Sequence, residues 1–455
     1  MSESAPSLRA PKKPNATLPP AVVGAILGGA AAAAYLIGSG RAFGYDAAVS
    51  FANFVATPSL LDAFAVHSQQ PTIPLFGIAG NDHVLVSFLS HLIYSTTGSR
   101  WEVLYRLIPA LAAAGTVGVT AAVLVNRFGL IAGTCAGVFV ATNPLFVTNS
   151  RDLRGYSLGV FCAVLATVLL PRTGKGRWWW AYGVLLGLAI AAHFFTGLVL
   201  VAHFVWVAAR RSRGELWRLV PAWLLAFIIG IGANAYILWV DLTQHGLIPG
   251  VFDPTFPRDL VFYLVGAPNL QAIAFWLSPA ALGLWVLRRE RWLWPALITI
   301  SAGIAFLWIV LHPAYMYPRF FMFLVPGCAY LIAAAVNRWK LVLAPVVILG
   351  AAAAVVFLVP GYTQDSIAVR QSAAVIDRAN EAGRRACLVH WDEQVMGAYS
   401  SSFYTVTSPD QLSACDLVVV VTWAVDVPLR DLAAKQFPRA TTLAAYDYPA
   451  VVLER

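Results

Sequence analysis

The chain reads as an all-α polytopic membrane protein with about eleven transmembrane helices, followed by a small C-terminal extracytoplasmic α/β domain. Three observations lead there. Of the 455 residues, 59% are apolar and only 12% are charged, a composition that excludes an ordinary soluble domain. Apolar spans recur through residues 20–360, each near the length a helix needs to cross a hydrocarbon core. Nearly every Lys/Arg cluster between them falls on one side, and nearly every oddly placed Asp, His and Arg on the other.

In chain order, residues 1–19 are polar and Pro-rich and lack an Ala-x-Ala cleavage site, so a cytoplasmic tail before a retained first helix is expected. The spans read 20–40, 102–125, 128–148, 155–171, 178–192, 194–209, 219–240, 271–287, 292–310, 320–336 and 342–360. Several are short and need flanking residues to complete a crossing. The basic loops are Lys12–Lys13, Arg127, Arg172–Lys175–Arg177, Arg210–Arg211–Arg213–Arg218, Arg288–Arg289–Arg291 and Arg338–Lys340. With the N-terminus cytoplasmic, all of them are cytoplasmic. That placement accounts for the net charge of +9 without nucleic acid as a partner. Sixteen Trp and sixteen Tyr suit interfacial belts and an external substrate cleft.

Three regions break the helical rhythm. The first, 41–100, is a long external loop with Pro58, Pro71, Pro74 and Gly77, then Asn81-Asp82-His83 and a moderately apolar stretch, 84–96, expected as an interfacial helix. The second, 241–270, is rich in Pro and Asp, external, with a short helix expected at 257–265. The third is the tail, 361–455. Its helical spacing over 366–381, short β-type runs at 386–390, 416–421 and 450–453, and a helix candidate at 428–436 predict a small α/β domain. No glycine-rich nucleotide loop follows the early strands, so this domain is expected to be accessory or acceptor-recognising. The five Cys make no metal signature: Cys135, Cys162 and Cys328 sit in or beside apolar spans. Cys387 and Cys415 lie in the tail, where a disulfide is permitted but not dictated by spacing.

Unexplained polar groups gather at the external helix ends. They are Asp46 in the run Gly44 to Ser50, Asp82-His83, Arg151-Asp152-Leu153-Arg154-Gly155-Tyr156, His193, Asp241, His245, and His312 through Arg319. Each alone is explained as a helix cap or headgroup anchor. As a set they are not, because anchoring does not require carboxylates and guanidiniums to gather opposite the basic loops. A lipid-phosphate sugar donor would use them. Its phosphate sits at the headgroup plane, a carboxylate takes a proton from the acceptor hydroxyl, and cations steady the departing phosphate. Asp46 is the expected base, and Arg319 the expected phosphate ligand through its fork of donors, with Arg151 and Arg154 as second choices. Asp82, His83 and Asp152 complete the candidate catalytic set. Tyr156, His193, His312, Tyr315 and Tyr317 join the arginines as candidate substrate-binding residues. Asp46 and Asp82 are the positions for a divalent ion, Mg²⁺ or Mn²⁺, if one is used.

On these residues the chain resembles the polytopic GT-C glycosyltransferases, in the bacterial branch related to protein O-mannosyltransferases, aminoarabinose transferases and polyprenyl-phosphate sugar transferases of the lipopolysaccharide-core type. The resemblance covers about 20–336. It rests on Asp46 in YDAAVS after the first helix, Asp82-His83 before VLVSFLSHLIY, and the segment from Glu102 to Arg106 with Pro109. It rests further on Ser150-Arg151-Asp152-Leu153-Arg154-Gly155-Tyr156-Ser157-Leu158, His193, and Arg319-Phe320 with Pro326. The resemblance implies a GT-C fold and a catalytic base at Asp46. Two departures stand out: Ala47 follows Asp46 where an Asp-Glu pair is common, and His83-Val84 replaces a common Pro-Pro pair. The expected activity is inverting transfer of a mannose or arabinose-like pentose from a polyprenyl-phosphate donor to a hydroxyl of an envelope glycan, glycolipid or protein. A transporter or flippase for a lipid-linked or anionic substrate is the alternative. It would place ionisable or unwound positions near the bilayer midplane, whereas here they sit at the external ends.

Overall fold

The structure, a computed structural model, describes residues 18–37, 39–65, 82–173, 177–210, 213–244, 252–265, 273–290, 293–311, 316–358, 368–389, 393–400, 403–421, 427–445 and 449–455. Every expected span carries helix. The first is α1 (Pro20–Leu36), followed by a short α2 (Tyr45–Ser50), α3 (Val84–Thr97) and the long α4 (Glu102–Phe128). Next come α5 (Leu130–Thr142), α6 (Pro144–Asn149), α7 (Tyr156–Leu169), α8 (Trp178–Ala192), α9 (Gly197–Arg210), α10 (Arg213–Ala233) and α11 (Ala235–Gln244). The bundle finishes with α12 (Phe256–Leu264), α13 (Ile273–Leu287), α14 (Leu293–Phe306), α15 (Val325–Arg338) and α16 (Lys340–Leu358). Among the described residues, four helices are long and apolar enough to span a membrane by themselves, and the other apolar helices are shorter.

Besides the 3₁₀ start of the 320–336 span, two expected spans are broken at an asparagine, each for a local reason. At Asn143-Pro144, proline has no N–H to continue the ladder and biases Asn143 to the extended conformation it adopts (φ −63°, ψ 129°). The Asn143 amide then donates to the carbonyls of Tyr263 and Leu264, tying the break to the end of α12. At Asn234, between α10 and α11, the side chain donates to Gly230 O and to Ile190 O of α8.

Three of the basic loops come together. Arg127 lies 4.0 Å from Glu290, Phe128 packs on Tyr330, and Trp285 stacks on Trp339, so these loops share one end of the bundle. Packing in its interior is close: a Cβ at Gly118 would sit 2.8 Å from Gly24 O, so α1 and α4 touch through glycine backbone. A one-way chain of hydrogen bonds crosses α10, α8, α9 and α7. Trp223 Nε1–H donates to Tyr182 Oη at 3.1 Å, and that hydroxyl lies 3.2 Å from His203 Nδ1. His203 Nε2 lies 3.0 Å from Thr167 Oγ1, whose hydroxyl donates to Ala163 O. Because Thr167 spends its proton on Ala163, His203 must donate from Nε2 and accept at Nδ1, which fixes one neutral tautomer.

The tail forms a five-stranded mixed sheet of β1 (Ala386–Val389), β2 (Tyr404–Val406), β3 (Leu417–Val421), β4 (Arg439–Leu443) and β5 (Ala450–Glu454) in the order β2-β1-β3-β5-β4. β1 pairs in parallel with β2 and β3, while β5 runs antiparallel to β3 and β4. Helices α17 (Val369–Glu381), α18 (Glu393–Gly397) and α19 (Val427–Gln436) complete it. β2 and β4 are additions to the sequence reading. One has three residues, and the other is a largely exposed edge strand, so neither carries an apolar run. Cys387 and Cys415 form a disulfide with their Cα atoms 5.8 Å apart.

Candidate active site

Asp46 sits in the first turn of α2, not in the open loop expected for it. The chain enters α2 along the five residues 39–43, whose backbone is held by side chains described below. Two other segments meet Asp46. The turn 150–155 links α6 to α7 and presents Arg154. A 3₁₀ segment, Pro318–Leu324, precedes α15 and presents Arg319. Both guanidiniums reach the same carboxylate oxygen: Arg154 Nη2 and Arg319 Nη2 each lie 2.9 Å from Asp46 Oδ2. Arg154 is 3% exposed, against 25% for Asp46 and 31% for Arg319, so the group is buried on one side and open on the other. Burial alone would raise the Asp46 carboxyl, but the two arginines together outweigh it and hold the carboxyl below its ordinary 3.8.

The wall beside this triad is aromatic. Tyr156 opens α7 and forms a triangle with the rings of His83 and His193, each with its centroid 4.8 Å away and the two imidazoles 5.6 Å apart. Phe320 stacks on Phe195 at 4.9 Å, and the Arg319 guanidinium lies 4.5 Å from the Tyr317 ring centroid and 5.9 Å from that of Tyr156. His193 Nε2 donates to Phe320 O at 3.0 Å, and His83 Nδ1 donates to Ala192 O at 3.0 Å. Gly155 lets the turn lie against the end of α8: a Cβ there would meet Ala192 O at 1.7 Å.

Asp82 and His83 precede α3 and are both buried. Asp82 Oδ1 accepts from Ser87 at 2.6 Å, while Oδ2 has no hydrogen-bond partner among the described residues. Burial pushes the Asp82 carboxyl up to about 8, against the opposing pull of Ser87, Arg154 and the His83 backbone. Burial, with Arg154 and His193 nearby, holds His83 well below 6.5. Asp152, in the same turn as Arg154, is half-buried and is also pushed up by burial, with Arg154 opposing.

Most of the expected site residues therefore lie at one end of the bundle. Of the two second-choice arginines, Arg154 makes the ion pair with Asp46, while Arg151 Nε donates back to Val147 O of α6. The side chain of Asp241, and the whole of His245, His312 and Tyr315, lie outside the described residues. Among the described residues, no group of three or more His, Cys, Asp or Glu gathers that could hold a metal ion. Asp46 Oδ2 is taken by two guanidiniums and Asp82 Oδ1 by Ser87. Among the described residues, this arrangement does not make a Mg²⁺ or Mn²⁺ site.

The sequence reading gave no role to Phe195, Phe320 or Gly155 at the site, nor to Glu102, Arg106, Arg370 and Tyr399, which brace α2. Glu102, Arg106, Gly155 and Phe320 lay within the motifs that carry the resemblance, but nothing in the sequence set out these contacts.

The fold defines a polytopic helical membrane protein, with a C-terminal β-sheet domain seated at the same end as the Asp46 group. The chain is similar in structure to ArnT from Cupriavidus metallidurans in the apo state, at 15% identity and a TM-score of 0.55, over 94% of this chain and 97% of that one. It also aligns with the Archaeoglobus fulgidus oligosaccharyltransferase in complex with Zn and sulfate, at 12% identity and a TM-score of 0.46, over 92% and 72% of the two chains. No family model matches the chain, and no curated protein is significantly similar to it.

Proposed function

We propose that this protein is an inverting glycosyltransferase of the extracytoplasmic membrane face. It moves a mannose or arabinose-like pentose from a polyprenyl-phosphate donor to a hydroxyl of an envelope glycan, glycolipid or protein. One observation carries the reading: a single carboxylate and two guanidiniums, from three segments far apart in the chain, meet at the bundle end opposite Arg127. The triad holds one positive charge in excess, which suits an anionic phosphate. The disulfide in the tail, at the same end, fits an oxidising compartment.

The chemistry follows from the same atoms. The acceptor oxygen attacks the anomeric carbon from the face opposite the phosphate. The bond from that carbon to the phosphate oxygen breaks, and its electron pair leaves with the polyprenyl phosphate. The hydroxyl proton passes to Asp46, and Arg154 and Arg319 take up the charge that grows on the phosphate. At rest, those arginines make Asp46 a weak base. Burial is nonetheless the largest single influence on its carboxyl, and it acts upward. When a donor phosphate draws guanidinium N–H groups to itself, the balance at Asp46 tips toward burial and its basicity rises. Donor binding thus prepares the base.

The test uses purified protein in nanodiscs with radiolabelled polyprenyl-phosphate sugars and membrane lipid extract, wild type beside Asp46→Asn. Label passing to a new product in wild type, and lost in the variant, is expected. Full transfer by a correctly folded Asp46→Asn would remove Asp46 as the base. A wild type that neither binds nor consumes any donor would overturn the transferase reading.

A further inference from the structure

We infer that the C-terminal domain is a positioning element of the site: Arg370 and Tyr399 hold the backbone just ahead of Asp46 and so set where its carboxylate stands between Arg154 and Arg319. The catalytic consequence rests on the transferase reading, whereas the clamp itself is geometric. Five consecutive residues, 39–43, each give a backbone group to a side chain from elsewhere. The Arg106 guanidinium of α4 donates to Ser39 O at 2.6 Å, to Arg41 O, and to Ala42 O at 3.0 Å. Arg370 Nη2 of α17 donates to Gly40 O at 2.7 Å. The Phe43 N–H donates to Tyr399 Oη. Residues 39–43 are in neither helix nor strand, so these side chains supply partners for a backbone that is buried at Ser39, Ala42 and Phe43 and exposed at Gly40.

Two further contacts make this a clamp instead of a chance touch. Glu102, at the start of α4, is 6% exposed, and Arg370 Nη2 pairs with its Oε1 at 2.7 Å. One nitrogen of the C-terminal domain therefore holds both the entering backbone and a buried carboxylate. Behind it lies a continuous apolar core in which Phe43, Ala47 and Phe51 pack with Val369, Ile376 and Met396. Arg100 adds donors to Gly397 O and Ala398 O, each at 3.3 Å. Asp46 follows Phe43 by three residues. A shift at 39–43 is therefore carried directly into the 2.9 Å contacts with both arginines. Arg370 and Tyr399 themselves are positioning residues.

The experiment uses the full chain in nanodiscs as wild type, Tyr399→Phe, Arg370→Ala and Arg370→Lys. It measures kcat, donor KM, the pH-rate profile and amide hydrogen exchange over residues 39–50. Tyr399→Phe and Arg370→Ala should lower kcat about 10- to 100-fold with donor KM little changed, as expected for a displacement on the order of 1 Å. They should also move the acid limb to higher pH, as Asp46 loses guanidinium contact, and speed exchange over 39–50. Arg370→Lys should recover most of the loss. If Tyr399→Phe and Arg370→Ala fold and match wild type in exchange and rate, the clamp is wrong and the transferase reading stands. Faster exchange in variants of a protein that turns over no donor even as wild type would keep the clamp and end the transferase reading.

Discussion

Replacing Gly155 by alanine puts the site's geometry under a defined stress. Gly155 has φ −77° and ψ −5°, a backbone open to any residue, so space alone decides the outcome. The new Cβ would stand 1.7 Å from Ala192 O and 3.0 Å from His83 Nδ1, where ordinary contact begins at 3.4 Å. The obstruction is backbone at the end of α8, and it also accepts the His83 hydrogen bond, so it cannot turn aside. The 150–155 turn and the end of α8 must separate by roughly 1.7 Å, at a cost of about 1–3 kcal/mol for overpacking. Arg154 is the preceding residue, and its 2.9 Å contact with Asp46 would stretch beyond hydrogen-bond range. Misplacement of that order lowers kcat about 100-fold. The assay is transfer from labelled donor in nanodiscs beside the thermal midpoint, with Gly29→Ala as control, since nothing lies within 4 Å of a Cβ there. A folded Gly155→Ala that turns over and binds donor like wild type would refute the idea that this close approach places Arg154.

Three further outcomes are expected. Arg154→Met leaves Asp46 with Arg319 as its cation, so burial gains on the remaining charge and the acid limb of the pH-rate profile should move to higher pH, with kcat down about 100-fold or more; an unmoved limb would count against Asp46 as the titrating base. Asp82, with a folded pKa of about 8 against 3.8, contributes stability that is full below pH 3.8 and lost as pH rises through 8. Asp82→Asn should therefore flatten the thermal midpoint between pH 4 and 8, and an unchanged slope would show that Asp82 does not supply it. Cys387→Ser should cost roughly 3.5 kcal/mol on the chain-entropy account, given a separation of 28 residues. Equal midpoints for Cys387→Ser and oxidised wild type would contradict this.

What the sequence showed, and what it hid, divide along a physical line. Apolar length and charge side are properties of runs of residues, so the helical character of the apolar spans and the shared end for Asp46, Arg154 and His193 were legible. Both broken spans were marked by residues visible in the chain, Asn143-Pro144 and Asn234, but an apolar run reads the same whether it bends or not. The choice of Arg154 over Arg151 was not legible, because it depends on how a short turn packs against α8 through Gly155. The role of Arg370 and Tyr399 was hidden more deeply. Their partners are backbone groups of residues 39–43, and a carbonyl leaves no mark in the amino-acid code. β4 escaped for a third reason: an exposed edge strand has no inward face to write an alternation.

The contacts of the first external segment with the tail also set an order of events during synthesis. Phe43 and Tyr399 are 356 residues apart, and at a translation rate of about 5–20 residues per second the second follows the first by roughly 20–70 s. Through the later part of that interval a nascent chain carries Asp46 on a segment braced by Arg106 but not yet by Arg370 or Tyr399. A chain released early, before residue 370, would never close the bond to Gly40 or the pair with Glu102. The site is thus completed last, and an incomplete chain is left without the means to complete it.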